Sequence, residues 1–190
     1  MNKRDLRANI DYIMINQDRL QDRVRELARA VEADYAPDDD LILLCVLKGA
    51  FLFLADLSRE LKLPHEVEFM AISSYGGGTT SSGAVQIIMD LKRDITGRHV
   101  LIVEDIIDSG RTLQYIRRIL LARGPASLRI CTLLNKPSRR EADVPVDYTG
   151  FDIPDEFVVG YGLDFDQLYR NLPFIAVLKP AVFAHLHTHD

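Results

Sequence analysis

Tryptophan is absent from the 190 residues, and cysteine occurs only twice. Cys45 and Cys131 each sit inside an apolar run. They are too few for a disulfide framework and have no close partners for a metal site. They read as small buried hydrophobes in a reducing compartment. Excess positive charge is also lacking: 23 Lys and Arg stand against 28 Asp and Glu, a net charge of −5. That balance argues against a protein that works by neutralising nucleic-acid phosphates. The small basic clusters, Arg117-Arg118 and Lys136 with Arg139-Arg140, read as solvated faces. No apolar stretch reaches the length of a membrane span, and the opening "MNKRDLRANI" has no apolar signal core. The expectation is a cytoplasmic protein with no nucleic-acid or membrane partner.

What is present is a chain long enough for one domain with a sizeable core. No internal repeat or low-complexity linker is visible. In "NQDRLQDRVRELARAVEADY", Leu20, Val24, Leu27 and Val31 recur every three to four residues, which predicts an amphipathic helix over 16–35 capped by Asn16. Pro37 and the acidic run after it end the pattern. "LILLCVL", Leu41 to Leu47, is apolar throughout, as a strand buried on both faces should be. "GAFLFLADLSRELKL" reads as the helix behind it. "EVEFMAIS", "AVQIIMDL", "RHVLIVED" and "SLRICTLLNK" read as strands, and "GRTLQYIRRILLARG" as an amphipathic helix with Gly124 at its C-terminal cap. "DEFVVGYGL" and "PFIAVLK" are weaker strand candidates. Strands alternating with helices predict parallel pairing through right-handed crossovers in an open sheet, which binds ligands beyond the carboxyl ends of its strands.

One such end is "VLIVEDIIDSGRTL", Val100 to Leu113, where three carboxylates interrupt the most hydrophobic strand. Asp108-Ser109-Gly110-Arg111-Thr112 lies between that strand and the next helix. A helix N-terminus offers unpaired N–H groups and a partial positive charge to an anion. Gly110 permits a tight turn, and Ser109 and Thr112 add hydroxyl donors. The acids upstream, Glu104 and Asp105, need a different partner, and ribose hydroxyls or a divalent cation satisfy them. A ligand carrying phosphate, ribose and a metal-bound anion suits the whole segment. The plainer alternative is an acidic loop in which Asp108 caps the helix.

That stretch resembles the phosphoribosyl-pyrophosphate (PRPP) motif of the type I phosphoribosyltransferases. "VLKGAFLFLADL" resembles the Lys-Gly loop of their hypoxanthine-specific branch, "SSYGGGTTSSG" its mobile catalytic loop, and "LLNKPSRR" and "GFDIPDEFVVGYGLDFDQLYRNLP" its purine-recognition segments. The likeness runs from about Leu41 to Pro173, leaving the final "AVFAHLHTHD" outside. It implies an α/β fold: an open, mainly parallel twisted sheet flanked by helices, with a small hood formed by terminal segments. The whole chain would be one domain, its core about 36–150 and its hood the N-terminal segment with about 151–180.

The resemblance also implies roles. Asp108 would face N7 of a purine as general base. Glu104 and Asp105 would hold the ribose hydroxyls, directly or through Mg²⁺, with Asp164 a further Mg²⁺ ligand. Ser109, Gly110, Arg111 and Thr112 would cradle the 5′-phosphate, Arg111 through its side chain or only its backbone N–H. Lys48 and Gly49, after a cis Leu47–Lys48 peptide, would meet pyrophosphate together with Ser74, Tyr75 and Arg170. Ser74 to Gly83 would act as a lid, or would simply be a loose surface loop. Lys136 would donate to the purine O6 and so favour a 6-oxopurine over a 6-aminopurine. Phe157 would stack on the base, unless it is an ordinary core aromatic, and Val158 and Asp164 would bracket it. The implied reaction is purine salvage: PRPP plus hypoxanthine, and guanine too, giving nucleotide and pyrophosphate in a homodimer or homotetramer. A xanthine-preferring relative and a non-catalytic PRPP-binding regulator are the alternatives. His185, His187 and His189 read as part of a surface tail.

Overall fold

A computed structural model describes residues 6–74 and 85–184, and among these described residues there are nine strands and four α-helices. Strand β1 (Ile10–Ile15) precedes helix α1 (Gln17–Asp34), and strand β2 (Leu41–Leu47) leads into helix α2 (Phe51–Glu60). Strands β3 (His65–Ser74) and β4 (Val85–Met89) are followed by β5 (His99–Ile107), helix α3 (Arg111–Leu121) and β6 (Ser127–Asn135). The chain closes with β7 (Tyr148–Asp152), β8 (Val158–Val159), β9 (Ile175–Leu178) and the short helix α4 (Pro180–Phe183).

The main sheet has six strands in the order β4-β3-β2-β5-β6-β7. Strands β3, β2, β5, β6 and β7 pair in parallel, and β4 pairs antiparallel with β3. One antiparallel edge pairing on an otherwise parallel sheet agrees with the expected mainly parallel sheet. The connection from β3 to β4 carries no described crossover helix, so β4 returns alongside β3, with Ser74 opposite Val85. After β2 the chain steps to β3 on one side. The later strands β5, β6 and β7 fill the other side. The direction of winding therefore reverses between β2 and β5, and loops at their carboxyl ends diverge to leave a crevice.

Burial explains the layers. Leu41, Leu43 and Cys45 of β2 pack with Leu20, Val24, Leu27 and Val31 of α1 and with Phe53, Leu54 and Leu57 of α2. The intervening Ile42, Leu44 and Val46 face the opposite way, with Leu113, Ile116 and Leu120 of α3. Successive side chains of a strand point to opposite faces, so a strand covered on both faces is apolar at every position. Asn16 caps α1, its side chain accepting from the Arg19 N–H at 2.9 Å. Helix α3 ends at Leu121, earlier than the glycine-based expectation, and Gly124 instead takes a left-handed conformation (φ 68°) three residues beyond.

The second sheet, β1-β9-β8, is antiparallel and has its own core of Val159, Phe165, Tyr169, Leu172, Leu178 and Val182. It joins the two ends of the chain: Ile10 lies opposite Leu178, and Ile15 opposite Ile175. Strand β1 went unread in the sequence because "IDYIMI" is mostly exposed and shows no clean alternation. Strand β7, "YTGFD", carries a mid-strand glycine and reads as loop. The weak candidate at 155–163 shrinks to β8, two residues long.

Candidate active site

The end of β2 and the end of β5 meet at the winding reversal. Cys45 lies opposite Val103, which brings Leu47, Lys48 and Gly49 level with Glu104 and Asp105. The Leu47–Lys48 peptide is cis. Gly49 is required here by space: a Cβ on it would lie 1.6 Å from Asp105 Oδ2. Asp105 Oδ1 accepts from the Ile106 N–H at 2.9 Å. Burial raises the Asp105 carboxyl to about 6, against which the Ile106 amide and the nearby Arg170 charge pull down. Burial, and then the Asp105 charge, push the Glu104 carboxyl well up. Among the described residues Glu104 Oε2 is buried with no hydrogen-bond partner. A pair of adjacent buried acids held this way is a candidate site for hydroxyl donors or a cation.

Across the crevice, Arg170 pairs with Asp164 at 2.8 Å and donates to Gly162 O at 2.7 Å and Gln167 Oε1 at 3.1 Å. Lys48 Nζ reaches Gln167 Oε1 at 3.3 Å. Lys48, Gly49, Glu104, Asp105, Asp164 and Arg170 thus form one polar cluster, assembled from three distant segments. Ser74 ends β3, and the expected lid from 75 onward, Tyr75 included, lies outside the described residues, as do His185, His187 and His189.

The loop after β5 takes the shape an anion cradle needs. Gly110 is left-handed (φ 80°) and precedes α3, and no side chain caps the helix. A Cβ on Gly110 would lie 3.1 Å from Ala142 O, so the turn is closed by the neighbouring chain as well as by its own torsion. Asp108 is not the helix cap; the sequence alternative for it is not realised. The Arg111 guanidinium is engaged by Glu141 at 2.6 Å, so what Arg111 turns toward the loop is its backbone N–H, 3.4 Å from Ser109 Oγ.

Asp108, Lys136, Phe157 and Val158 line one cavity of about 680 Å³ with Ile106 and Leu163. The Lys136 N–H donates to Ile107 O at 3.0 Å, continuing the β5–β6 ladder and holding Lys136 beside Asp108. The Lys136 side chain is only 10% exposed, so its ammonium is a buried donor. Phe157 meets Phe165 edge-on at 5.5 Å and stacks on Phe183 at 5.0 Å. A largely apolar cavity with the buried Lys136 beside a polar wall of Asp108, Asp155, Glu156 and Arg139 suits a flat heterocycle with polar edges.

Residues 15–166 match the family described as the phosphoribosyl transferase domain. The chain belongs to the phosphoribosyltransferase family. This phosphoribosyltransferase is 50% identical over 181 residues to the hypoxanthine-guanine phosphoribosyltransferase of Mycobacterium tuberculosis strain H37Rv, covering 93% of this chain and 90% of that one. It is 54% identical over 164 residues to the hypoxanthine phosphoribosyltransferase of Salmonella typhimurium, covering 86% and 92%. A crystal structure of a hypoxanthine phosphoribosyltransferase from Staphylococcus aureus superposes with a TM-score of 0.90 at 44% identity, covering 96% of this chain and 98% of that one.

The sequence reading of this phosphoribosyltransferase missed six polar or aromatic cavity residues: Asp11, Tyr12, Arg139, Asp155, Glu156 and Phe183. Arg139 is the plainest addition. Its side chain is more than half exposed, as a solvated basic patch requires, yet its Nε also lies 3.3 Å from Asp108 Oδ1. Pro137 begins a 3₁₀ turn, Pro137–Arg139, that folds Arg139 back over Lys136. That turn was the available signal. Phe183 lies in the segment assigned to no motif, and Tyr12, whose hydroxyl donates to Glu156, lies on the unread strand β1. No local pattern marks either one.

Proposed function

We propose that the protein transfers the 5-phosphoribosyl group of PRPP to hypoxanthine, and also to guanine, giving nucleotide and pyrophosphate in purine salvage. The observation that carries this is the junction at the end of β5. Glu104 and Asp105 stand over the winding reversal, the Gly110 turn opens α3, and between them Asp108 shares a cavity with the buried Lys136. A sugar phosphate held by the first two presents its anomeric carbon near a purine held by the third. The names of the relatives point to the same reaction.

The 5′-phosphate sits in the turn formed by Ser109, Gly110, Arg111 and Thr112, held by backbone N–H groups and hydroxyls. Glu104 and Asp105 accept from the ribose hydroxyls. Lys48, Gly49, Ser74, Tyr75 and Arg170 hold the pyrophosphate. The purine ring stacks on Phe157, flanked by Val158 and Asp164, with O6 accepting from Lys136. In the transfer, purine N9 bonds to C1′ and the C1′–O bond to pyrophosphate breaks, the leaving group taking the electron pair. The proton on N7 passes to the Asp108 carboxylate. A positioned base of this kind contributes on the order of 10²–10⁴ in rate. A 6-aminopurine cannot accept from Lys136 and leaves that buried donor unpaired, which costs strongly in selectivity.

The residues fit a divalent cation. Glu104 Oε2 is an orphaned buried oxygen beside the like-charged Asp105, and hard cations prefer such oxygens. Among the described residues no three His, Cys, Asp or Glu side chains form a complete metal cage. Glu104 and Asp105, with Asp164, would therefore hold Mg²⁺ together with substrate oxygens. When bound, Mg²⁺ neutralises charge on the departing pyrophosphate.

The same reading makes the protein a cytoplasmic homodimer or homotetramer. Val67 and Phe69 on β3 and Ile88 on β4 are exposed and suit self-association. Among the described residues no helix is long and apolar enough to cross a membrane. The test of function is a set of steady-state rates with hypoxanthine, guanine, xanthine and adenine at fixed PRPP and Mg²⁺. Turnover of the 6-oxopurines well above adenine is expected. Absence of nucleotide product from every base overturns the proposal, and xanthine as the best substrate overturns its specificity.

A further inference from the structure

Four side chains of alternating charge run along one wall of the cavity. Asp108 Oδ1 lies 3.3 Å from Arg139 Nε. Arg139 Nη1 lies 3.6 Å from Asp155 Oδ2, and Asp155 Oδ1 lies 3.6 Å from Lys136 Nζ. The two ends of the chain, Asp108 and Lys136, are the groups assigned above to N7 and O6. The two middle members have no role in that assignment. Resting on the phosphoribosyl-transfer reading, we propose that Asp155 is a positioning residue for purine recognition, anchoring the buried Lys136 ammonium and offering Arg139 a second carboxylate besides Asp108.

The physical case has two halves. Lys136 is buried, and Asp155 is the carboxylate paired with it among the described residues. A buried ammonium without a counter-charge is costly and swings toward water. Asp155 keeps it charged and pointed into the cavity. Arg139, by contrast, is half-exposed and has two carboxylates to choose from. If it settles wholly on Asp108, it occupies the carboxylate that must receive the N7 proton. Water in the open cavity weakens this competition. An entering purine displaces that water, and the remaining charge pairs strengthen. Asp155 then supplies the alternative partner that leaves Asp108 free for N7–H. The edge of a 6-oxopurine, an acceptor at O6 beside a donor at N7, bridges the two ends of the chain. The wall is thus matched to the ligand before it arrives.

The test is a double-mutant cycle on the full-length protein with hypoxanthine and PRPP varied in turn. Asp155→Asn is expected to lower kcat/KM for hypoxanthine by about thirtyfold, while KM for PRPP stays within about twofold. Asp155→Glu restores activity to within about threefold of the parent. The decisive variant combines Asp155→Asn with Arg139→Gln. Removing the guanidinium that now has only Asp108 to bind should recover about tenfold over Asp155→Asn alone. A merely structural role for Asp155 predicts no such recovery. Asp155→Ser replaces the Asn variant in the cycle if the latter does not fold. Independent, multiplying losses in the two single variants overturn the assignment, as does an Asp155→Asn enzyme within twofold of the parent. A parent protein that makes no nucleotide from any 6-oxopurine sinks the underlying reading instead, so the two failures are distinct.

Discussion

The two halves of the active site are built in different ways. The half proposed for phosphate and ribose is one continuous stretch, Glu104 to Thr112, on the carboxyl end of a strand with a buried centre and the first turn of α3. The purine half is gathered from five places: Tyr12 on β1, Asp108 after β5, Lys136 and Arg139 after β6, residues 155–158 before and in β8, and Phe183 in α4. The first half has rigid backbone on both sides and can hold its acids at an electrostatic cost. The second depends on the small β1-β9-β8 sheet closing over the crevice. In the proposed function a contiguous segment specifies ribose phosphate, which is common to every substrate pair, and a composite wall specifies the base, which a few substitutions in loops can retune.

The largest expected effect sharpens the boundary between the halves. Asp108→Asn should lower kcat with hypoxanthine by on the order of 10²–10⁴ while changing KM for PRPP far less. An unchanged kcat would move the base role elsewhere. Next, Lys136→Ala should shrink the preference for 6-oxopurines over adenine by about a hundredfold, read as the ratio of kcat/KM values. Unchanged selectivity would show that another group reads O6. Phe183 tests whether α4 belongs to the purine half. It stacks on Phe157 at 5.0 Å, and such aromatic pairs are worth about 0.5–1.5 kcal/mol beyond area burial. Phe183→Ala should therefore raise KM for hypoxanthine by about threefold to tenfold and leave KM for PRPP alone. An equal rise in both would place Phe183 in the general fold instead.

The smallest effect concerns stability and probes the cost borne by the first half. The folded-state value of the Asp105 carboxyl is about 6, above its ordinary 3.8. Between those values the folded protein binds the proton more tightly than the unfolded chain. The contribution of this group is thus most favourable at low pH and is lost as pH rises through 4 to 6. Above 6 the penalty is fully present. Asp105→Asn, measured without divalent cation, should raise Tm at pH 7.5 by about 3 °C and give no gain near pH 4. A gain that does not change with pH would mean that the carboxylate is not the source of the strain.

Legibility in the sequence followed the same division. The helix over 16–35, the buried β2 and the acid-rich end of β5 each announce themselves through local periodicity or run length, because each buries a face of predictable width. Lys48 and Gly49 are readable from their place after a buried strand. The space-filling reason for Gly49, a carboxylate from β5 where its Cβ would go, is not. Arg139 shows the opposite failure. A basic residue next to another basic residue has a solvated surface as its default, and only the 3₁₀ turn after Lys136 carries it to Asp108. Strand β1 is half-exposed and irregular, and its pairing partner lies 160 or more residues away, so no window of sequence contains the information.

What the chain determined on its own was chemistry confined to single segments: apolar strands, an amphipathic α3, three acids at a strand end and a glycine turn that opens a helix. Hydrophobic period and turn chemistry act over a few residues, and so they can be read there. What tertiary structure decided was adjacency. The winding reversal between β2 and β5 set Gly49 against Asp105, and the ladder from β5 to β6 set Lys136 beside Asp108. The joining of both chain ends in one small sheet brought Tyr12 and Phe183 to the same cavity. Those contacts arise from the packing of covered faces against one another, a property of the whole fold that no local stretch encodes.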